Sequence, residues 1–428
     1  MLGKVLKYNR IKKQKKQEDI CKGICSISYY SKIENDQMEP SPELYKKLMS
    51  RLGIDENKLR KQDGSKVKEE VLSWGELLIE KNMEQAKESY FHLQEKIPFV
   101  EDVKIKLLCD IFYIRYCYIV EDYQNGKDKL EDIKKTVYEL NDPELLFYLY
   151  KCEIGYLYFD GEFPKAKEII EKAEKIVNEA VHSQLQIIDF YFIAGILYQN
   201  LYNDNVSIYY LKKALNGFER TYNYFRCGEC RLAIGISYSK LKQYDEAKKN
   251  YLLAEKIAKQ INNQWLEASV LHNLGEIYAS TDDPFQAIRF FQLSYRLRKG
   301  EQRLVTISMI LDEFYKLGHE QEMMTWIEHG FETVDDVLKK RELDGKEMAR
   351  YYKFLYYRAL VGEKYKQDYE TLLTETIVPY FEEKKMAAYL AFFAGEVATY
   401  YERKQELKKA IEYFKKANDA LKEMTYQT

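Results

Sequence analysis

The chain has 428 residues, 46% hydrophobic and 32% charged, with a net charge of −2, so it is too long for one compact core and predicts two or more units. No run approaches about 18 apolar residues, and the N-terminal MLGKVLKYNRIKKQKK has no apolar core or small-residue cleavage site; neither a membrane span nor a secretory leader is expected, and the expected location is cytoplasmic. With only 7 prolines and 19 glycines, the composition favours long unbroken helices.

Charge divides the chain. Residues 1–62 carry 15 Lys+Arg against 8 Asp+Glu, a net of +7, and the remainder carries 52 against 61, a net of −9. A basic head on an acidic body points to a polyanion partner for the head alone.

The head reads as short helices with apolar positions at Leu6, Ile20, Ile24, Tyr30, Ile33, Leu44, Leu48 and Leu52. Ser26 is a good N-cap for a helix running to about Asn35, and Ser41-Pro42 is a cap followed by proline at the first helical position. With Tyr30 and Ile33 inward, Ser28, Tyr29 and Lys32 project outward and Ser26 sits at the helix start, as a recognition helix requires. Gln17 opens the preceding helix, where a phosphate can meet free N–H groups, and Arg10, Lys13 and Lys16 offer backbone contacts. The run Arg10…Gln17-Glu18-x-Ile20…Ser26-x-Ser28-x-x-Ser31-Lys32-Ile33-Glu34-Asn35…Pro40-Ser41 resembles the phage-repressor type of helix-turn-helix over residues 4–54. The DNA-binding set expected is Arg10, Gln17, Ser26, Ser28, Tyr29 and Lys32.

After an expected linker at 63–72, residues 73–428 show one helical pattern repeatedly. Around IGISYSKLKQYDEAKKNYLLAEKIA the frame holds Gly235, Tyr238, Tyr244, Ala247, Tyr251 and Ala254. The same frame holds Gly195, Tyr198, Ser207, Leu211 and Ala214 before it, and Gly275, Tyr278, Pro284, Ala287, Phe291 and Ser294 after it. Tyr401, Ala410, Phe414 and Ala417 fall in it near the end. The small positions Ala86, Ala166, Ser207, Ala247, Ala287 and Ala410 are separated by near-multiples of 40, with fainter units near Leu130, Met324 and Asp368, making about nine. Small residues let paired helices approach and aromatic residues fill the gap to the neighbour, so each hairpin buries its apolar face on the next. This array resembles tetratricopeptide repeats, with units longer than the usual 34 residues. The expected fold is all-α: a helix-turn-helix domain followed by a right-handed superhelix of about nine hairpins.

A solenoid of this kind lines its concave face with the first helix of each pair. The expected stripes are Asp189, Ile193, Ile196 and Asn200, then Glu229, Ala233, Ile236 and Lys240, then Ser269, Asn273, Glu276 and Ser280. Amides, carboxylates and aliphatics together suit an extended peptide, because an amide can donate to a backbone carbonyl and accept from an N–H. Asp189, Asn200, Glu229, Lys240, Asn273 and Glu276 are the peptide-binding candidates.

The seven scattered cysteines do not suggest a disulfide framework, and Cys227-x-x-Cys230 has no second pair at zinc spacing. The five histidines are dispersed, and no phosphate loop, G-x-S-x-G or H-E-x-x-H occurs. No enzyme, metal or cofactor is expected.

The combination of a repressor-type head with a long-unit array resembles the peptide-pheromone-responsive regulators of Gram-positive bacteria, the group of Rap, Rgg, PlcR, PrgX and NprR. Length and repeat number look most like the NprR branch. The resemblance implies a quorum-sensing transcription regulator that binds a short re-imported peptide, changes oligomeric state and so controls promoter DNA; the partners are DNA, peptide and a second copy in a homodimer or higher oligomer. In that group groove asparagines clasp the peptide backbone, which gives Asn273 and Asn200 that role. Two alternatives stand beside this reading. The array could sequester a phosphorelay response regulator, or serve only as a dimerisation scaffold for a peptide-independent repressor.

Overall fold

The computed structural model describes residues 2–13, 15–35, 37–54, 64–180, 183–362 and 368–426, and among these there is no strand. The head comprises α1 (Leu2–Lys12), α2 (Gln17–Cys21), α3 (Ile27–Glu34) and α4 (Pro42–Arg51). Both expected caps form: the Ser26 hydroxyl accepts from the Tyr29 N–H at 3.2 Å, and the Ser41 hydroxyl from the Leu44 N–H at 3.3 Å, with Pro42 next. Leu6, Ile20, Tyr30, Ile33, Leu48 and Leu52 form the core with Cys21, Tyr45 and Met49, while Ile24 and Leu44 pack at its edge.

Paired helices follow. They are α5 (Gly64–Glu80) with α6 (Met83–Lys96), α7 (Val103–Ile119) with α8 (Tyr123–Leu140), and α9 (Pro143–Phe159) with α10 (Phe163–Ala180). Next come α11 (Gln184–Asn200) with α12 (Asp204–Arg220), α13 (Tyr224–Lys240) with α14 (Tyr244–Gln260), and α15 (Gln264–Ser280) with α16 (Pro284–Leu297). The series continues with α17 (Gln302–Leu317) and α18 (Glu320–Leu338). It then has α19 (Gly345–Val361) with α20, whose α-helical ends Tyr369–Thr371 and Val378–Glu383 flank a π-helical Leu372–Ile377, and α21 (Ala387–Arg403) with α22 (Leu407–Tyr426). That makes nine hairpins among the described residues, as the period predicts. Residues 55–63 lie outside the described residues, including the end of the expected head and the first linker residue. From Gly64 the chain is helical and buries Val67 and Val71 in the first hairpin, so 64–72 belongs to α5.

Most of these turns between paired helices have one backbone solution. Lys81, Glu121, Gly161, Tyr202, Lys242, Asp282, Gly318 and Gln405 all adopt left-handed backbone, with φ between 54° and 77°. The fourth residue of each regular second helix is then Ala86, Gly126, Ala166, Ser207, Ala247, Ala287, Met323 and Ala410, small in all but the seventh hairpin. This moves the two faint repeats. Gly126, not Leu130, holds the position in the second hairpin, where a Cβ would lie 1.6 Å from the Tyr156 hydroxyl. Met323, not Met324, holds it in the seventh, fully buried. Among the described residues near Asp368, α20 departs from α-helical pitch at Leu372–Ile377 and does not repeat this arrangement.

The chain forms two compact units. The first takes residues 1–200 and 209–223; the second takes 201–208 and 224–428. Within the first, the head rests on the array, with α1 against α7 and Lys7 reaching Glu139 at 3.4 Å. Within the second, the first helix of a hairpin approaches its partner at a glycine: a Cβ on Gly235 would meet the Tyr251 ring at 2.3 Å, and one on Gly275 the Phe291 ring at 2.6 Å. The aromatic residue thus fills the space the glycine leaves.

Candidate nucleic-acid and peptide surfaces

In the head, α3 presents Ser28 and Lys32 to solvent. Tyr29 is half-buried against the core, and the Ser26 hydroxyl is occupied by its cap. Arg10 and Gln17 do not join this face. The Arg10 guanidinium forks onto Glu34, Nε to Oε1 at 2.6 Å and Nη2 to Oε2 at 2.9 Å, and the Gln17 amide donates to the same carboxylate at 2.7 Å. Glu34 is 1% exposed, so these two residues compensate a buried charge and join α1, α2 and α3 from within. Sequence shows a charge but not its partner, and the phosphate role expected for this pair yields to that internal clasp. Among the described residues, the exposed cations of the head are Lys13, Lys15, Lys16, Lys22, Lys32, Lys46, Lys47 and Arg51. Of these, Lys13 reaches the Leu52 carbonyl, and Arg51 donates to the Lys22 carbonyl at 3.1 Å.

In the first unit Asp189 is fully buried and holds Lys151 at 2.8 Å, with Arg115 at 3.8 Å. Burial pushes the Lys151 ammonium down while Asp189 opposes that shift, and Gln186 accepts from it at 2.7 Å. Burial also pushes the neighbouring Cys152 thiol up to about 12, which makes it inert. Asn200 is half-buried; its amide donates to the Ile196 carbonyl at 2.9 Å and to the Tyr158 hydroxyl at 3.2 Å, so its carbonyl oxygen is what it offers a ligand.

In the second unit Glu229 is buried in an ion pair with Arg226 at 2.6 Å, one turn away on α13. Lys240 is exposed and lies 5.3 Å over the Tyr202 ring; burial raises the carboxyl of Asp204, and Lys240 opposes that. On α15, Asn273 donates to the Ser269 carbonyl at 2.8 Å and accepts from the Tyr251 hydroxyl at 3.3 Å. One N–H and one acceptor position of that amide remain. Glu276 is half-exposed, with His272 at 3.5 Å. Asn273, Glu276 and Lys240 therefore present polar atoms to solvent, while Glu229 and Asp189 serve helix packing. Cys227 and Cys230 are both buried on α13, and no group of three metal-ligating side chains occurs among the described residues.

Two concave places escaped the sequence reading. One is a cleft of about 770 Å³ between α11 and α12, where the Lys213 ammonium lies 4.8 and 4.6 Å from the Tyr191 and Tyr209 rings. The other is a pocket of about 240 Å³ bounded by Tyr315, Tyr369, Tyr400, Glu396 and Arg403, where Glu396 accepts from the Tyr356 hydroxyl at 2.5 Å. Glu396 and Arg403 stand at the same places in α21 as Asn273 and Ser280 in α15. Counting from the helix starts would have found them.

Residues 6–59 match the helix-turn-helix family model and residues 229–300 the tetratricopeptide-repeat model. The chain is thus a helix-turn-helix domain joined to tetratricopeptide repeats, and the resemblance to the pheromone-responsive regulators, NprR among them, holds for both parts. The transcriptional activator NprA of Geobacillus stearothermophilus is 28% identical over 411 residues, covering 94% of this chain and 98% of that one. Response regulator aspartate phosphatase A of Bacillus subtilis is 25% identical over 305 residues, 69% of this chain and 75% of that one. Among solved structures, the apo form of the quorum sensor NprR from B. thuringiensis has a TM-score of 0.72 at 22% identity, over 83% of this chain and 99% of that one. NprR in complex with its cognate peptide NprX has a TM-score of 0.61 at 21% identity, over 85% and 100%. These two share the fold.

Proposed function

We propose that the protein is a transcription regulator whose repeat domain binds a short signalling peptide and whose head binds promoter DNA. The observation that carries this is the similarity to a transcriptional activator along 94% of the chain, through head and array alike. Ser28 and Lys32 on α3 contact the operator, and Asn273, with Glu276 and Lys240, receives the peptide backbone and its charged ends. Peptide controls DNA binding by favouring one oligomeric arrangement over another, which requires different affinities for the two.

The test is size-exclusion chromatography with light scattering, with and without short peptides encoded beside the gene. A cognate peptide changes the mass. Asn273→Ala weakens that peptide about five- to thirtyfold while basal DNA affinity holds, since a lost amide contact costs about 1–2 kcal/mol. Unchanged peptide affinity would remove Asn273 from the site. A second reading rests on the likeness to a response regulator aspartate phosphatase over 69% of the chain: the array holds a phosphorelay response regulator. Co-elution of the full chain with such a regulator, competed by peptide, supports it; the absence of any complex rejects it.

A further inference from the structure

The cleft of about 770 Å³ between α11 and α12 lies wholly within the first unit and has a volume typical of small-molecule sites. Its walls are two helix faces, that of Ile187 and Tyr191 on α11 and that of Lys213, Asn216 and Arg220 on α12. At helical pitch Ile187 and Tyr191 point roughly half a turn away from Ile193, Ile196 and Asn200. The cleft and the stripe expected to take a peptide are therefore on opposite sides of α11.

Its charge runs against that of its surroundings. The chain beyond residue 62 carries a net of −9, yet Lys212, Lys213 and Arg220 line the cleft, and no carboxylate does so among the described residues. The Lys213 ammonium stands 4.8 and 4.6 Å from the Tyr191 and Tyr209 rings, and ring faces hold an ammonium without neutralising it. Glu174 of α10 acts on Lys213 through space, but its carboxylate accepts from the Tyr210 hydroxyl. The Arg220 guanidinium and the amides of Asn216 and Gln184 are exposed, and they make no hydrogen bond or ion pair among the described residues. Lys213 and Arg220 are seven residues apart, which separates their Cα atoms by roughly 10 Å along the helix.

Between these polar groups the floor is apolar. Ile188 packs directly on Gly217, where a Cβ would meet it at 2.4 Å, and Ile187 lies half-buried beside it. A ligand matched to this cleft has several negative charges along its length, an apolar body and a polar edge. We propose that the cleft binds a nucleotide carrying two or more phosphates. The phosphates meet Lys212, Lys213 and Arg220, because lysine and arginine both form charge-assisted hydrogen bonds to phosphate oxygens. The base lies on Ile187 and Ile188, and the Gln184 and Asn216 amides read its edge, since an amide offers a donor and an acceptor side by side as a base does. A divalent ion needs oxygen ligands such as carboxylates, which the described lining lacks, so the species recognised is the metal-free nucleotide. The site needs neither peptide nor DNA, and its failure leaves the proposed function standing.

The experiment is isothermal titration calorimetry of the full chain in EDTA with each of the four common ribonucleoside triphosphates. At least one should bind saturably, the matching nucleoside should not, and inorganic tripolyphosphate should bind at least tenfold more weakly. Arg220→Glu should weaken the nucleotide tenfold or more at an unchanged melting temperature, because Arg220 holds no partner among the described residues. Lys256→Glu makes the same kind of charge change at an exposed residue of α14 that does not line the cleft, and should leave affinity within twofold. No saturable binding of any triphosphate, or binding indifferent to Arg220→Glu, overturns the site. Tripolyphosphate binding as tightly as the nucleotide, or a strict need for magnesium, overturns the nucleotide as its occupant.

Discussion

Once Glu34 is seen between α1, α2 and α3, Arg10 and Gln17 become the groups that allow a carboxylate to be buried there. Arg10→Ala leaves that charge uncompensated and should cost about 3–5 kcal/mol, read as lost hydrogen-exchange protection of the α3 amides. Lys32→Ala should leave protection intact and reduce the salt dependence of DNA binding instead. Glu370 carries a pH dependence. Hydrogen bonds from Lys404 at 2.6 Å, Tyr401 at 2.8 Å and Tyr400 at 3.0 Å hold its carboxyl down at about 2, against an ordinary 4.5. A depressed carboxyl stabilises the fold above its ordinary value. That contribution is lost as pH falls from 4.5 towards 2. Because Glu370 is a third exposed, the loss is modest. Glu370→Gln should flatten the melting-temperature profile across that interval and leave neutral pH little changed.

At the scale of elements, the strong repeats were readable because their rule is steric. A glycine on the first helix and an aromatic on the second occupy one volume, and both residue types are conspicuous in a sequence. Gly235→Ala drives a methyl group into the Tyr251 ring and should destabilise the fifth hairpin by about 1–3 kcal/mol in denaturant titrations. Tyr251→Leu on that background should restore part of it. The weak repeats followed the same rule with the sizes exchanged. Gly126 makes room for the hydroxyl end of Tyr156, a residue of the next hairpin, so the pair is invisible within a single unit. The π-helical stretch of α20 was not legible at all, since nothing in LLTETI distinguishes it from α-helix before its neighbours are placed. Spacing places Asp189 on α11 and Glu229 on α13 but does not show that Lys151 and Arg226 engage them.

Across the whole molecule the charge division matters most. A head of net +7 and a body of net −9 confine the affinity for a polyanion to the first 62 residues. Lys15, Lys16, Lys22 and Lys32 are among the exposed cations of the head. If each meets a phosphate, two heads on one duplex give a log–log salt slope of roughly −7, at about −0.9 per phosphate. Electrophoretic shifts across a salt series measure this slope, and a shallow one would place these lysines off the backbone.

The left-handed turns have one more consequence. Glycine or asparagine adopts such backbone most readily, yet six of the eight hairpin corners named above hold lysine, glutamate, tyrosine, aspartate or glutamine. Each of those six corners therefore carries some removable discomfort, and exchanging Lys242 for glycine or asparagine should raise the thermal ceiling by a degree or so. The scaffold thus stands below its attainable robustness, and an engineer could claim that unused margin one corner at a time.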